Sequence, residues 1–172
     1  MELLEQFASG NLGAFEALFR QFQREVYFWI LRIVRDPAAA EDLTVEAFWR
    51  IYRSHARFDP ARSFAGWARR IATRVALDHL RKARVEVPLP EDLSMGPPPN
   101  PALDAERRAQ IHRCFRALPA KLQVAATLAL IEERPYQEIA DALGISVGAV
   151  KLRVFRAVRW LRKSLAQAGV EI

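Results

Sequence analysis

Asp42, Glu46 and Asp59 are the carboxylates whose spacing most readily suggests acid–base chemistry, and nothing else in the chain completes a site around them. Such chemistry needs a positioned nucleophile, a phosphate-cradling loop or a ligand set for a metal, and no motif of these kinds is present. The one cysteine, Cys114, cannot close an internal disulfide, and His55, His79 and His112 are too scattered to hold zinc. No catalytic residue, metal, cofactor or small-molecule substrate is therefore expected. The chemistry these residue types do support is recognition of a polyanion. Arg69, Arg70, Arg74, Arg81, Lys82 and Arg84 crowd one stretch, and Lys151, Arg153, Arg156, Arg159, Arg162 and Lys163 crowd another with no acid among them. Guanidinium and ammonium groups donate to phosphate oxygens and to the acceptor edges of guanine, so nucleic acid is the leading partner.

The charge is divided by region. The 172 residues carry 26 Lys and Arg against 20 acids, for a net +6. Residues 1–84 are net +4, 85–104 net −4, and 105–172 net +6. The middle segment holds Pro88, Pro90, Pro97, Pro98, Pro99 and Pro101, six of the ten prolines, and no Lys or Arg. Such composition reads as a solvated, flexible linker between two small modules. If extended like polyproline, its 20 residues would reach on the order of 60 Å, more than one turn of duplex. The apolar runs are far too short to span a membrane, and the N-terminus lacks a basic lead into an apolar stretch. A protein of the reducing cytoplasm, not inserted in a membrane, is expected.

The elements that must position these cations are helices. Phe15, Leu18, Phe19, Phe22, Val26 and Ile30 recur at three and four residues, the period of an amphipathic helix. Asp36 and Pro37 predict a stop followed at once by a capped start. Leu43, Ala47 and Ile51 point inward on the next helix until Pro60 breaks it, and Ser63 caps a helix over 64–84. Phe64 and Trp67, with Ile71 and Val75 following at helical spacing, read as core. No Asn-Gly hairpin or alternating pattern appears, so the fold class is all-α.

The sharpest motif is YQEIADALGISVGAV (136–150), which reads as a helix-turn-helix. Ala140 lets two helices approach, Gly144 accepts a left-handed turn, and Ile139, Leu143, Ile145 and Val150 fill the angle between them. Ser146 caps the second helix, whose apolar stripe is Val147, Val150, Val154, Val158, Leu161 and Leu165. Its first turn would enter a major groove. Phe155 and Trp160 lie off the stripe and could pack on the preceding helices, contact thymine methyls or meet a protein partner, packing being the favoured reading.

AEDLTVEAF (40–48), SFAGWARRIA (63–72), ALDHLRK (76–82) and the 136–154 segment, in this order across nearly the whole chain, resemble bacterial extracytoplasmic-function sigma factors. The resemblance implies two small helical domains. Residues 1–84 correspond to the sigma region 2 bundle, 85–104 to a linker, and 105–172 to the region 4 helix-turn-helix. It also implies partners: the clamp helices of the largest subunit of RNA polymerase core, promoter DNA, and an anti-sigma factor. By the match, Asp42, Glu46 and Arg50 contact polymerase. The break at 58–63, with Phe58, Arg62 and Ser63, captures a flipped base, and Arg69, Arg70 and Arg74 hold the strand of the minus-ten element. Ser146, Val147, Gly148, Ala149, Lys151, Arg153 and Arg156 read the minus-thirty-five element.

Three positions depart from the pattern. Val45 stands where the family usually has glutamine, which bears on one polymerase contact, and Arg74 stands where it often has asparagine, which bears on the minus-ten base preference. Pro135 replaces a serine-like residue and serves as a helix boundary. The rival expectation is a helix-turn-helix regulator with an N-terminal sensor or dimerisation domain, but such a domain has no use for the six cations over 69–84. A nucleic-acid-processing enzyme would need ligands or carboxylates that the chain does not assemble.

Overall fold

The computed structural model describes residues 2–86 and 101–170, and among these no strand occurs. Helix α1 (Leu3–Ala8) opens with a capping box between Glu2 and Glu5. Helix α2 (Leu12–Val34) starts where the Asn11 side chain accepts from the Ala14 amide at 2.9 Å, and ends on Arg35 in the left-handed region. Helix α3 (Pro37–Arg53) begins as the sequence predicts, with Pro37 in its first turn and the Asp36 carboxylate accepting from the Ala38 and Ala39 amides. A short 3₁₀ turn, His55–Arg57, precedes helix α4 (Phe64–Glu86), whose Gly66 amide donates to the Ser63 hydroxyl. That helix runs two residues beyond the expected end.

Helices α2, α3 and α4 pack on one another around an aromatic centre. The Phe7 ring lies 5.5–6.4 Å from those of Phe15, Phe58, Phe64 and Trp67. Edge-to-face pairs at such distances add to the gain from burial alone. Phe64 is buried, in line with the core reading, and Trp67 packs at its margin.

The C-terminal part comprises helix α5 (Pro101–Arg116), helix α6 (Ala120–Ala126) continuing into a π turn (Thr127–Ile131), helix α7 (Tyr136–Leu143) and helix α8 (Val147–Gln167). Residues 101–104 of the expected linker thus belong to α5, and 87–100 lie outside the described residues. The two modules that the sequence suggests pack against each other. Val124, Leu128, Ile139, Ala140, Ala142, Val150 and Val154 belong to the same buried cluster as Trp29, Ile51 and Val75. The buried cluster confined to the C-terminal part is only Leu118, Ala126 and Ala157. A helical unit this small has little apolar surface of its own, so it completes its core against α2 and α4. Fully burying a Leu, Ile or Val side chain is worth about 1.5–3 kcal/mol relative to leaving it exposed, a gain shared here between packing inside the C-terminal part and its docking on α2 and α4.

Candidate nucleic-acid and polymerase interface

The outer face of α3 carries Asp42, Val45, Glu46, Trp49 and Arg53, spaced so that one stripe holds them all. Asp42 is exposed, as are Val45 and Trp49, while Glu46 is half-buried. Arg50 donates to the Glu46 carboxylate at 2.7 Å and to Asp78 of α4 at 3.2 Å. The Glu46 hydrogen bond, outweighing partial desolvation, holds the Arg50 guanidinium above its ordinary range. Arg50 therefore stiffens the acidic stripe rather than standing free beside it. Trp49, more than half exposed beside acids, was not singled out from sequence. Its position one helical turn after Val45 is the signal that could have found it. An exposed tryptophan and valine among charges are the residue types that suit protein docking.

The break between α3 and α4 divides its residues. Phe58 is buried at 5% exposure against Phe7, Phe64 and Trp67, so its ring is not available to stack on a base. Within the loop expected to capture a base, Phe58 supports the backbone from beneath. Arg62 and Ser63 are exposed, with Arg62 near Asp59 at 3.5 Å.

Helix α4 presents Arg69, Arg70 and Arg74 in succession, and the first two are already engaged. The Arg69 guanidinium donates to Glu25 at 2.7 Å and to Glu138 of α7 at 3.0 Å, and lies over the Trp29 ring. Trp29 is buried, and its indole N–H donates to Thr73 at 2.9 Å. Arg134 covers the same ring from the C-terminal side and stands 3.8 Å from Glu138. The Arg70 Nε donates to the Asp141 carbonyl at 3.1 Å. Arg74 is exposed.

The helix-turn-helix forms as read. Gly144 closes α7 at φ +66°, where a residue with a side chain would be strained, and the Ser146 hydroxyl accepts from the Ala149 amide at 3.1 Å. Ile139 and Val150 are fully buried between the helices. Ser146, Gly148, Lys151 and Arg156 are exposed, and Val147 and Ala149 are half-buried. Arg153 differs: it turns into a groove with Arg74, Arg81, Lys121 and Asp78. Desolvation, followed by the nearby Arg81 charge, holds its guanidinium below its usual range. Trp160 packs against the small C-terminal cluster as expected, but Phe155 is 62% exposed and does not pack. Leu152, one turn before it, is exposed too, so α8 shows water two apolar groups among its cations. Such groups suit thymine methyls.

Among the described residues no cluster of His, Cys, Asp and Glu could hold a metal, and no helix is long and apolar enough to cross a membrane.

Residues 18–86 match the family model for sigma-70 region 2, and residues 108–161 that for sigma-70 region 4. The chain is 35% identical over 95% of its length to the ECF RNA polymerase sigma factor SigE of Mycolicibacterium smegmatis, spanning 67% of that protein. It is 31% identical to the RNA polymerase sigma-H factor of Pseudomonas aeruginosa, over 95% of this chain and 92% of that one. To CarQ of Myxococcus xanthus it is also 31% identical, over 98% and 99%. In fold it is similar to CnrH, solved in complex with the cytosolic domain of CnrY, with a TM-score of 0.58 at 24% identity over 96% of both chains. It is likewise similar to the sigma factor RpoE of Bartonella quintana, solved with the anti-sigma factor NepR, with a TM-score of 0.53 at 20% identity over 88% of this chain and 96% of that one. With both regions matched in order and relatives above 30% identity along nearly its full length, the chain belongs to the extracytoplasmic-function group of the sigma-70 family of RNA polymerase sigma factors.

Proposed function

We propose that this sigma factor divides promoter recognition between its two helical parts, and that it lends specificity to RNA polymerase without catalysing a reaction itself. As a sigma factor it binds polymerase core and directs initiation at promoters. The α3 stripe of Asp42, Val45, Glu46 and Trp49, braced by Arg50, docks on the clamp helices of the largest subunit. Loop 59–63, through Arg62 and Ser63, meets the displaced base of the minus-ten element, Arg69 and Arg70 hold the strand phosphates, and Arg74 faces the same strand. Single strands are held by cationic grooves of this kind combined with pockets for a base. The first turns of α8 read the minus-thirty-five duplex with Ser146, Lys151, Arg153 and Arg156, while Val147, Gly148 and Ala149 bring the backbone close. An anti-sigma factor is a further partner, a reading supported by the similarity in fold to a sigma factor solved with an anti-sigma factor. The site of action is the cytoplasm, where polymerase and promoter are found.

The observation that carries this reading is the exposure of Ser146, Gly148 and Lys151 at the start of α8 after the Gly144 turn, in one chain with an arginine-rich α4. The test is co-elution with polymerase core in size-exclusion chromatography. Asp42→Ala and Trp49→Ala should weaken core binding while leaving affinity for promoter duplex unchanged. Equal loss of both would mean that α3 acts only through folding.

A further inference from the structure

The groove into which Arg153 turns gathers more positive charge than the fold neutralises. It has a volume of about 350 Å³, within the range of small-molecule sites. Arg50 of α3, Arg74 and Arg81 of α4, Lys121 of α6 and Arg153 of α8 line it, and Asp78 is the one acid on its wall among the described residues. That carboxylate is already engaged. It accepts from Arg50 at 3.2 Å and stands 3.8 Å from Arg81, while Glu46 accepts from Arg50 at 2.7 Å. Among the described residues, Arg74, Lys121 and Arg153 have no carboxylate within ion-pair distance. Arg153 is the deepest of the three: half-buried, it meets both desolvation and the like charge of Arg81. A cation withdrawn from water is ordinarily paired.

An anion of several charges is the complement of this hollow. Leu77, Ala142 and Leu143 form an apolar edge of low dielectric, which focuses the field of the cations into the groove. The duplex-reading face lies elsewhere. Arg153 and Lys151 are roughly 160° apart around α8, so the groove opens away from a duplex seated on Lys151. We propose that the groove is a binding site for a small oligophosphate, whose chain is gripped by Arg74, Arg81, Lys121 and Arg153. Each guanidinium fork takes two phosphate oxygens, and the Lys121 ammonium acts as a point charge. Orthophosphate meets too few of these donors at once, whereas a chain of phosphates presents oxygens to all of them. The chain is either inorganic or borne on a nucleoside, whose base would rest on Leu77 and Leu143.

The site goes beyond the sigma-factor reading and does not depend on it. The full-length chain is titrated by calorimetry with tripolyphosphate, ATP and orthophosphate, without magnesium and at about 0.15 M salt. Arg81→Gln combined with Lys121→Gln removes two groove cations, and Arg162→Gln combined with Lys163→Gln makes the same charge change at exposed positions outside it. Tripolyphosphate should bind at least about tenfold more tightly than orthophosphate, and the groove pair, unlike the outer pair, should weaken it about tenfold. Saturating tripolyphosphate should raise the melting temperature of the wild type. Lys121→Gln alone, which removes a like charge, should melt no lower than wild type without ligand while binding tripolyphosphate more weakly. Tighter binding of ATP than of tripolyphosphate identifies a nucleoside polyphosphate, and equal or weaker binding the inorganic chain. Equal losses from the two pairs would reduce the effect to net charge and overturn the site. So would a mixed-sequence single strand of about 12 nucleotides whose binding falls with the groove pair as that of tripolyphosphate does, since the groove would then be a track for nucleic acid.

Discussion

The Arg69 guanidinium reaches across from α4 to the Glu138 carboxylate of α7, 69 residues later, at 3.0 Å, while lying over the buried ring of Trp29. Trp29 is thus the floor on which both parts of the chain meet, with Arg134 covering it from the other side at 5.8 Å. Its N–H is held by Thr73, whose own hydroxyl donates to the Arg69 carbonyl.

Replacing that floor should cost more than a core substitution within one module. Trp29→Ala is expected to destabilise by about 3–5 kcal/mol. Trp29→Phe keeps an apolar ring but leaves Thr73 without its donor, for about 1–2 kcal/mol. Urea unfolding of both variants checks the order. A Trp29→Ala protein within about 0.5 kcal/mol of wild type, the range of ordinary surface changes, would remove Trp29 from the interface.

On α8, exposure separates Lys151 and Arg156 from Arg153. Lys151→Ala and Arg156→Ala should weaken promoter duplex binding by about 1–3 kcal/mol if they read bases, or lower the salt slope by about one if they touch phosphate. Arg153→Ala should have the smaller effect on the isolated chain, because its guanidinium faces Arg81. Affinities at several salt concentrations decide, and a dominant loss from Arg153→Ala would contradict this geometry.

Arg74 offers donors only, which suit the two acceptors of guanine, whereas asparagine pairs its donor and acceptor with adenine. A promoter library randomised across the minus-ten element, selected with wild type and with Arg74→Asn, should yield guanine at one position for the wild type alone. The discrimination expected for a bidentate contact is about 1 kcal/mol or more. The same sequence selected by both, with a different overall yield, would make Arg74 a phosphate clamp.

Burial pushes the Cys114 thiol up, and the Arg113 charge only partly offsets it. A raised native pKa favours the neutral thiol, so this group's contribution to stability is present at neutral pH and is lost as pH rises through its native range. Alkylation by iodoacetamide should be slower than for a small-molecule thiol at pH 8 and accelerate as the pH is raised. Rapid modification at neutral pH would contradict this.

The helix boundaries were legible because capping is local: Asp36, Ser63, Gly144 and Ser146 each take the position their chemistry suggests. The core stripe of α8 was legible for the same reason, since Val150, Val154 and Leu165 are buried at helical spacing. What was not legible depends on contacts between distant segments. Phe58 looks like a loop aromatic, and only the convergence of Phe7, Phe64 and Trp67 buries it. Phe155 looks like a packing residue, and only the direction of α8 against α6 and α7 leaves it in water. Arg69, Arg70 and Arg153 read as free cations because nothing near them in sequence announces Glu138, the Asp141 carbonyl or Arg81 as neighbours.

The central claim is that this chain turns polymerase core into a promoter-specific enzyme, and run-off transcription tests it most directly. Core is mixed with templates bearing promoters selected by the protein, with and without the protein present. A discrete run-off product is expected only when both are present, with loss of that product for Asp42→Ala combined with Trp49→Ala. Duplex binding by the protein with core left silent would contradict it, and would identify a helix-turn-helix regulator instead.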